Sequence, residues 1–172
     1  MDRSLVIKRI TRNAIMLAFL CTVGMFAIPL GEVKISLQLL LVFIIGLTVY
    51  SVLDGLIITF LYLLIGLFLP IYAGFSAGIS PTFGYVIAFV VMIIPLYYLN
   101  KIKIKNSIIR MGIACGVALI VCYVIGTVFL CIYLQMDVQK AIFISVFPYL
   151  FFDILKIIMA IIIVHLLNKK NM

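Results

Sequence analysis

Long apolar runs, parted by short polar or proline- and glycine-bearing breaks, dominate this chain. A helix that crosses a bilayer needs about 20 mostly apolar residues. Six segments meet or approach that length: 14–30, 35–53, 56–73, 83–99, 111–134 and 148–167. Pro29 lies near the end of the first, Pro70 breaks the third and Pro95 sits inside the fourth. Pro148 opens the sixth, where a first-turn proline is well tolerated. So little chain joins the second and third runs (51–55) that they form a tight antiparallel hairpin. Residues 137–147, of intermediate polarity, predict a short surface or re-entrant helix. The expectation is an all-α membrane protein, a single integral domain over residues 1–172 with six transmembrane helices. The basic start followed by an apolar run resembles a signal peptide. Five further spans follow and no A-x-A site ends the run, so we read it as a retained first helix.

Composition agrees and adds an orientation. Of 172 residues, 67% are hydrophobic and 10% are charged, whereas a soluble domain is about half apolar and a quarter charged. The net charge of +8 reads as membrane topology and not as affinity for nucleic acid. Arg3, Lys8, Arg9 and Arg12 precede the first run, Lys101, Lys103, Lys105 and Arg110 follow the fourth, and Lys169 and Lys170 follow the sixth. With six spans these share one side, leaving Lys34 and Lys140 on the other. Basic loops stay cytoplasmic, so both termini are expected there, in a cell membrane. The four cysteines, Cys21, Cys115, Cys122 and Cys131, all lie in apolar runs and read as small buried hydrophobes, not as disulfides or metal ligands.

Asp153 and Lys156 interrupt the sixth run. Positions three apart share a helix face, and the topology puts both in the outer half of the membrane. A charge at membrane depth costs at least ~2.5–3.5 kcal/mol. The pair is either an ion pair that links helices or the polar floor of a solute site. Small-residue packing suffices to associate apolar helices and buried ion pairs seldom add net stability, which favours the solute site. The outer loop at 70–85 carries no charge but mixes Gly, Ser80 and Thr82 with Tyr72, Phe75 and Tyr85. It reads as an ordinary turn or as a lid over a ligand. Gln38 and Tyr62 are polar in apolar runs and either line a pocket or satisfy a neighbouring helix. Asp54 is explained as a helix cap. Ala14, Ala18 and Thr22 form a small-residue stripe, suited to internal packing or to docking a separate membrane subunit. There is no G-x-x-x-x-G-K-[ST] phosphate loop, no H-E-x-x-H and no triad or dyad. We therefore expect neither an enzyme nor a metal site. No two-fold repeat of the secondary-transporter kind is evident, though a stand-alone carrier stays an alternative.

These residues resemble a known family. Ile35-Ser36-Leu37-Gln38, Leu69-Pro70-Ile71-Tyr72-Ala73-Gly74, Pro81-Thr82-Phe83-Gly84-Tyr85, and Phe147-Pro148 running to Asp153-Ile154-Leu155-Lys156 and Ala160 are similar, in order, to the biotin-binding S components of energy-coupling factor (ECF) vitamin transporters, the BioY family. Ala14-x-x-x-Ala18 resembles the motif by which S components meet their coupling subunit. The resemblance implies a bacterial membrane subunit that captures biotin from outside, with no cofactor of its own, for uptake driven by a membrane coupling protein and two ATPase subunits. The ligand-binding residues it implies are Asp153, Lys156, Gln38, Tyr62, Tyr72, Phe75, Ser80, Thr82, Gly84 and Tyr85, with Ala14, Ala18 and Thr22 for docking. Asp153 would accept ureido N–H bonds, and Lys156 would bind either the ureido oxygen or the ligand carboxylate. Lipoate or a biotin precursor is the alternative ligand. The chain departs from the family pattern in having no arginine between Arg12 and Arg110, so a loop arginine for the carboxylate is missing.

Overall fold

The first apolar run does not continue as one helix. In the computed structural model, which describes residues 3–30 and 33–170, α1 covers Arg3–Gly24. The chain then forms an antiparallel hairpin of β1, Ala27–Leu30, and β2, Val33–Ser36. This corrects the all-α expectation and the first span's end at residue 30. Pro29, which pairs with Lys34 in the ladder, has no N–H and clashes with a preceding helical turn, yet an edge strand accepts it. The β-branched Val33 and Ile35 favour a strand. Gly24 ends α1 where space is short: a Cβ there would lie 3.0 Å from Gln38 Cγ and 3.2 Å from the Tyr62 hydroxyl.

Five further helices and one short one follow: α2 Gln38–Thr48, α3 Val52–Phe68, α4 Phe83–Leu99, α5 Ser107–Leu134, α6 Val138–Ser145 and α7 Phe147–Lys170. The fourth, fifth and sixth predicted runs match α4, α5 and α7 closely, and α6 is the expected short helix. The second run is cut to the 11 residues of α2, which reach only about 16 Å against a hydrocarbon core of about 30 Å. Of the described helices, α5 and α7 are long and apolar enough to cross a membrane, while α2, α3 and α4 are shorter apolar helices. Helix length alone therefore identifies two spans where the sequence predicts six.

The short α2 packs against α1, α3, α4 and α7, and all but three of its residues are buried. A helix apolar on every side belongs inside. Around it lies a core that includes Leu20, Phe43, Ile58, Met92, Ile93, Leu96 and Met111. The outer surface is apolar as well, with Phe68, Ile132, Phe143 and Phe151 strongly exposed. Apolar surface on this scale marks an interacting environment, here the lipid of a membrane.

The bundle has two distinct ends. At one, Arg9 forms an ion pair with Asp54 (2.8 Å) and Arg12 donates to the Thr48 carbonyl and sits 4.7 Å over the Tyr50 ring. Asp54 also completes a capping box with Ser51 at the start of α3 and accepts from Asn13 (3.0 Å). Asn100 donates to Leu47 O (3.0 Å) and accepts from Arg110 (3.3 Å). At the other end, the β hairpin meets the loop between α3 and α4, where Gly74 N–H donates to Met25 O (2.8 Å).

Candidate functional site

Asp153 and Lys156 occupy one face of α7, as their spacing requires. Lys156 Nζ lies 2.7 Å from Asp153 Oδ1, and the two residues are 4% and 8% exposed. The Tyr123 hydroxyl, on α5, donates to the other carboxylate oxygen, Oδ2, at 2.6 Å. The charges thus meet each other within one helix, and the link between helices is the tyrosine. They are not sealed. Both residues and Tyr123 line a cavity of about 70 Å³, several times the ~10–15 Å³ that one water needs. An ammonium has three donors, and each carboxylate oxygen accepts more than one bond. Among the described residues Lys156 uses one donor, on Asp153. The site therefore retains both donor and acceptor capacity toward the cavity.

The remaining wall comes from three other places. Tyr85 and Thr82 belong to the start of α4, and Val86 and Phe89 continue that wall. Gly126 on α5 leaves room for the Tyr85 ring, which a Cβ would overlap. The buried Tyr85 hydroxyl has no hydrogen-bond partner among the described residues. Beside it, Thr127 and Ser145 bond each other at 3.2 Å. A buried hydroxyl without a partner is costly, and a ligand polar group can satisfy it. Gln38 and Leu39, at the start of α2, form a second wall. The Gln38 amide is held at both ends: Ser36 Oγ donates to its Oε1 (3.1 Å), and its Nε2 donates to the Tyr62 hydroxyl. Tyr62 in turn donates to Ile71 O (3.1 Å).

The roof is loop and hairpin together. Tyr72 and Ala73 of the loop and Lys34 and Ser36 of β2 line the cavity. Tyr72 donates to Leu63 O (2.5 Å) and packs edge-on to Tyr62, ring centroids 5.5 Å apart. Gly66 makes room for the Tyr72 ring. Tyr72 and Ser76 exchange backbone bonds (3.0 and 3.3 Å), with Gly74 and Phe75 at positive φ between them. A bulky side chain at positive φ is strained. Phe75 is 61% exposed and rests edge-on against Phe26 (5.9 Å).

Of the residues the sequence singles out for a ligand, the structure brings Asp153, Lys156, Gln38, Tyr72, Thr82 and Tyr85 to this cavity. It does not bring Tyr62, Phe75, Ser80 or Gly84 into the lining. Tyr62 stands behind Gln38. Ser80 bonds Thr82 (3.2 Å). Gly84 allows α4 to approach Phe129 on α5, which any Cβ would overlap. Ala14, Ala18 and Thr22 are exposed on α1 and lie apart from the cavity. The Thr22 hydroxyl donates to Ala18 O (2.8 Å), so that face demands no polar partner. Sequence reasoning missed Lys34, Ser36, Tyr123, Ser145 and Tyr149 as lining residues. Lys34 carries a signal in retrospect, as one of two basic residues expected on the outer side. Tyr123 carries none in a run as apolar as α5.

A larger groove of about 630 Å³ runs beside α1 between Ile7, Ile15, Phe19, Leu41 and Ile44. Its described lining is apolar apart from Lys8, Thr11 and Arg12 and has no carboxylate, so it lacks the opposed charges that the first cavity presents. Among the described residues no group of three His, Cys, Asp or Glu could hold a metal. All four cysteines are free.

The sequence and the fold have relatives. Across the length of the chain, the BioY family pattern matches residues 1–171. A protein of Pyrococcus horikoshii described as a probable biotin transporter BioY is 30% identical over 168 residues, covering 95% of this chain and 98% of that protein. The biotin transporter BioY of Thermotoga maritima is 28% identical over 167 residues, 94% and 96% of the two chains. A biotin transporter of Lactococcus lactis is 32% identical over 156 residues, 87% and 84%. A crystal structure of the S component for biotin from an ECF-type ABC transporter superposes with a TM-score of 0.86 at 26% identity, over 98% of this chain and 95% of that one. On the strength of the family match over nearly every residue, this chain belongs to the BioY family.

Proposed function

We propose that this chain is the S component for biotin of an ECF-type ABC transporter, a membrane protein that captures the vitamin and performs no chemistry on it. The observation that carries this reading is the buried Asp153–Lys156 pair, which faces a cavity instead of a sealed core. Its charges offer what a cyclic urea needs. A carboxylate accepts the ureido N–H bonds, and an ammonium donates to the ureido oxygen. Tyr72, Tyr85 and Phe89 supply flat apolar surface for the fused rings. With water excluded, each polar contact strengthens.

The same reading places the chain as a single multi-pass domain in the bacterial plasma membrane. Six helices (α1 to α5 and α7) cross it, with both termini cytoplasmic. The end that gathers Arg9, Arg12, Asn100 and Arg110 is then the cytoplasmic one, and the hairpin–loop roof faces outward. Helices too short to span alone do so within a bundle whose neighbours cover them, and the bilayer adjusts at a modest cost. Biotin is the transported ligand and no cofactor is required. Uptake energy comes from two ATPase subunits through a membrane coupling protein, which docks on the exposed Ala14, Ala18 and Thr22 face of α1.

Equilibrium dialysis of the purified protein against biotin, dethiobiotin and lipoate tests the ligand. Biotin binds most tightly, and dethiobiotin, which keeps the ureido ring, binds next. Lipoate, which has no urea, binds weakest. Preference for lipoate overturns the biotin reading.

A further inference from the structure

The charges of the described residues that line the cavity do not cancel. Asp153 and Lys156 neutralise each other at 2.7 Å. Among the described residues Lys34 is the remaining charged side chain in the lining, so those residues bring one net positive charge to the cavity. Its ammonium donates to one neutral acceptor, Ala73 O, at 3.1 Å. Among the described residues it has no carboxylate partner, and two of its three donors are unused. The position is built. Lys34 sits on β2 in a fixed register opposite Pro29, and its stem runs over Gly74, where a Cβ would lie 2.9 Å from Nζ and 3.0 Å from Cδ. Gly74 also adopts φ +70°, a conformation that excludes most other residues. The roof therefore leaves space for this one cation and directs it to the cavity's edge.

We propose that Lys34 pairs with the carboxylate of the ligand and sets the preference for an acid over its neutral derivatives. The proposal rests on the biotin reading and divides the labour between two lysines: Lys156, already neutralised, takes the ureido oxygen, and Lys34 takes the carboxylate. A carboxylate adds the attraction between two full charges that a backbone carbonyl lacks, so the ligand anion competes well against Ala73 O for this ammonium. Because Ala73 O and Lys34 belong to the two halves of the roof, the carboxylate sits at the seam where hairpin and loop meet.

The test is titration calorimetry of wild-type protein, Lys34→Met and Lys34→Arg with biotin and with biotin methyl ester. Wild type is expected to bind the acid at least ~10-fold more tightly than the ester. Lys34→Met loses that preference by weakening biotin alone, with ester affinity unchanged. Lys34→Arg keeps the preference. If Lys34→Met retains the preference for the acid, or weakens acid and ester equally, the lysine is only a brace between hairpin and loop and the proposal falls. If wild-type protein binds neither molecule, the biotin reading falls and takes this inference with it.

Discussion

Arg9–Asp54 and Lys156–Asp153 are ion pairs of nearly equal length, 2.8 and 2.7 Å, in opposite halves of the molecule, and their surroundings differ in kind. Asp54 is satisfied on every side by protein. It accepts from Arg9, from Asn13 and from the Ser51 backbone, and so ties α1 to the turn between α2 and α3. Asp153 accepts from Lys156 and Tyr123, and it also lines a cavity. The first pair joins segments far apart in sequence. The second joins two residues on one helix, which needs no joining. A pair whose own contact lies within one helix, and which Tyr123 alone among the described residues ties to a neighbouring helix, fits the proposed role in holding a ligand.

The largest effect expected from this contrast comes from removing the inner polar group whole. Tyr123→Phe, Asp153→Leu and Lys156→Met combined leave no buried partner unpaired, and replacing a buried ion pair by apolar groups is often neutral for stability. Biotin affinity should fall at least ~100-fold in equilibrium dialysis, as loss of buried charge-pair contacts predicts, while the melting temperature holds. A collapse of the melting temperature instead makes this pair structural, like its counterpart. Asp54→Ala should do the reverse. It removes a cap and strands Arg9, and it should lower stability by about 1–3 kcal/mol in thermal or denaturant unfolding, with biotin affinity unchanged within about twofold. The smallest effect belongs to Tyr123→Phe alone. Asp153 keeps Lys156 and its ligand, so binding should weaken by about 1 kcal/mol, roughly fivefold.

Sequence and structure part company where tertiary contact decides the outcome. Apolar runs placed α4 at Phe83–Leu99 because Thr82 and Asn100 bound it with polar residues. The same approach fused α1 with β1, since Ala27, Ile28 and Leu30 are as apolar as the helix before them. Only Pro29 signals the change, and a proline near a run's end reads equally well as a helix stop. The inner half of the site was legible because a carboxylate and an ammonium stand out among Phe, Ile and Leu. Tyr123 was not, since an aromatic residue in a membrane helix is ordinary. Lys34 was visible only as a charge that fixes orientation. Its place at the cavity depends on the hairpin, which folds β2 back over the α3–α4 loop. Phe75 shows the converse. Its position in an uncharged loop suggests a ligand contact, but the positive φ of the turn points its ring outward to Phe26.

A structure of the protein with biotin bound tests the central claim most directly. The account predicts the ureido ring within hydrogen-bond distance of Asp153 and Lys156, beneath the roof formed by Tyr72, Ala73 and the β hairpin. Biotin seated in the apolar groove beside α1, with the Asp153–Lys156 pair untouched, would contradict it.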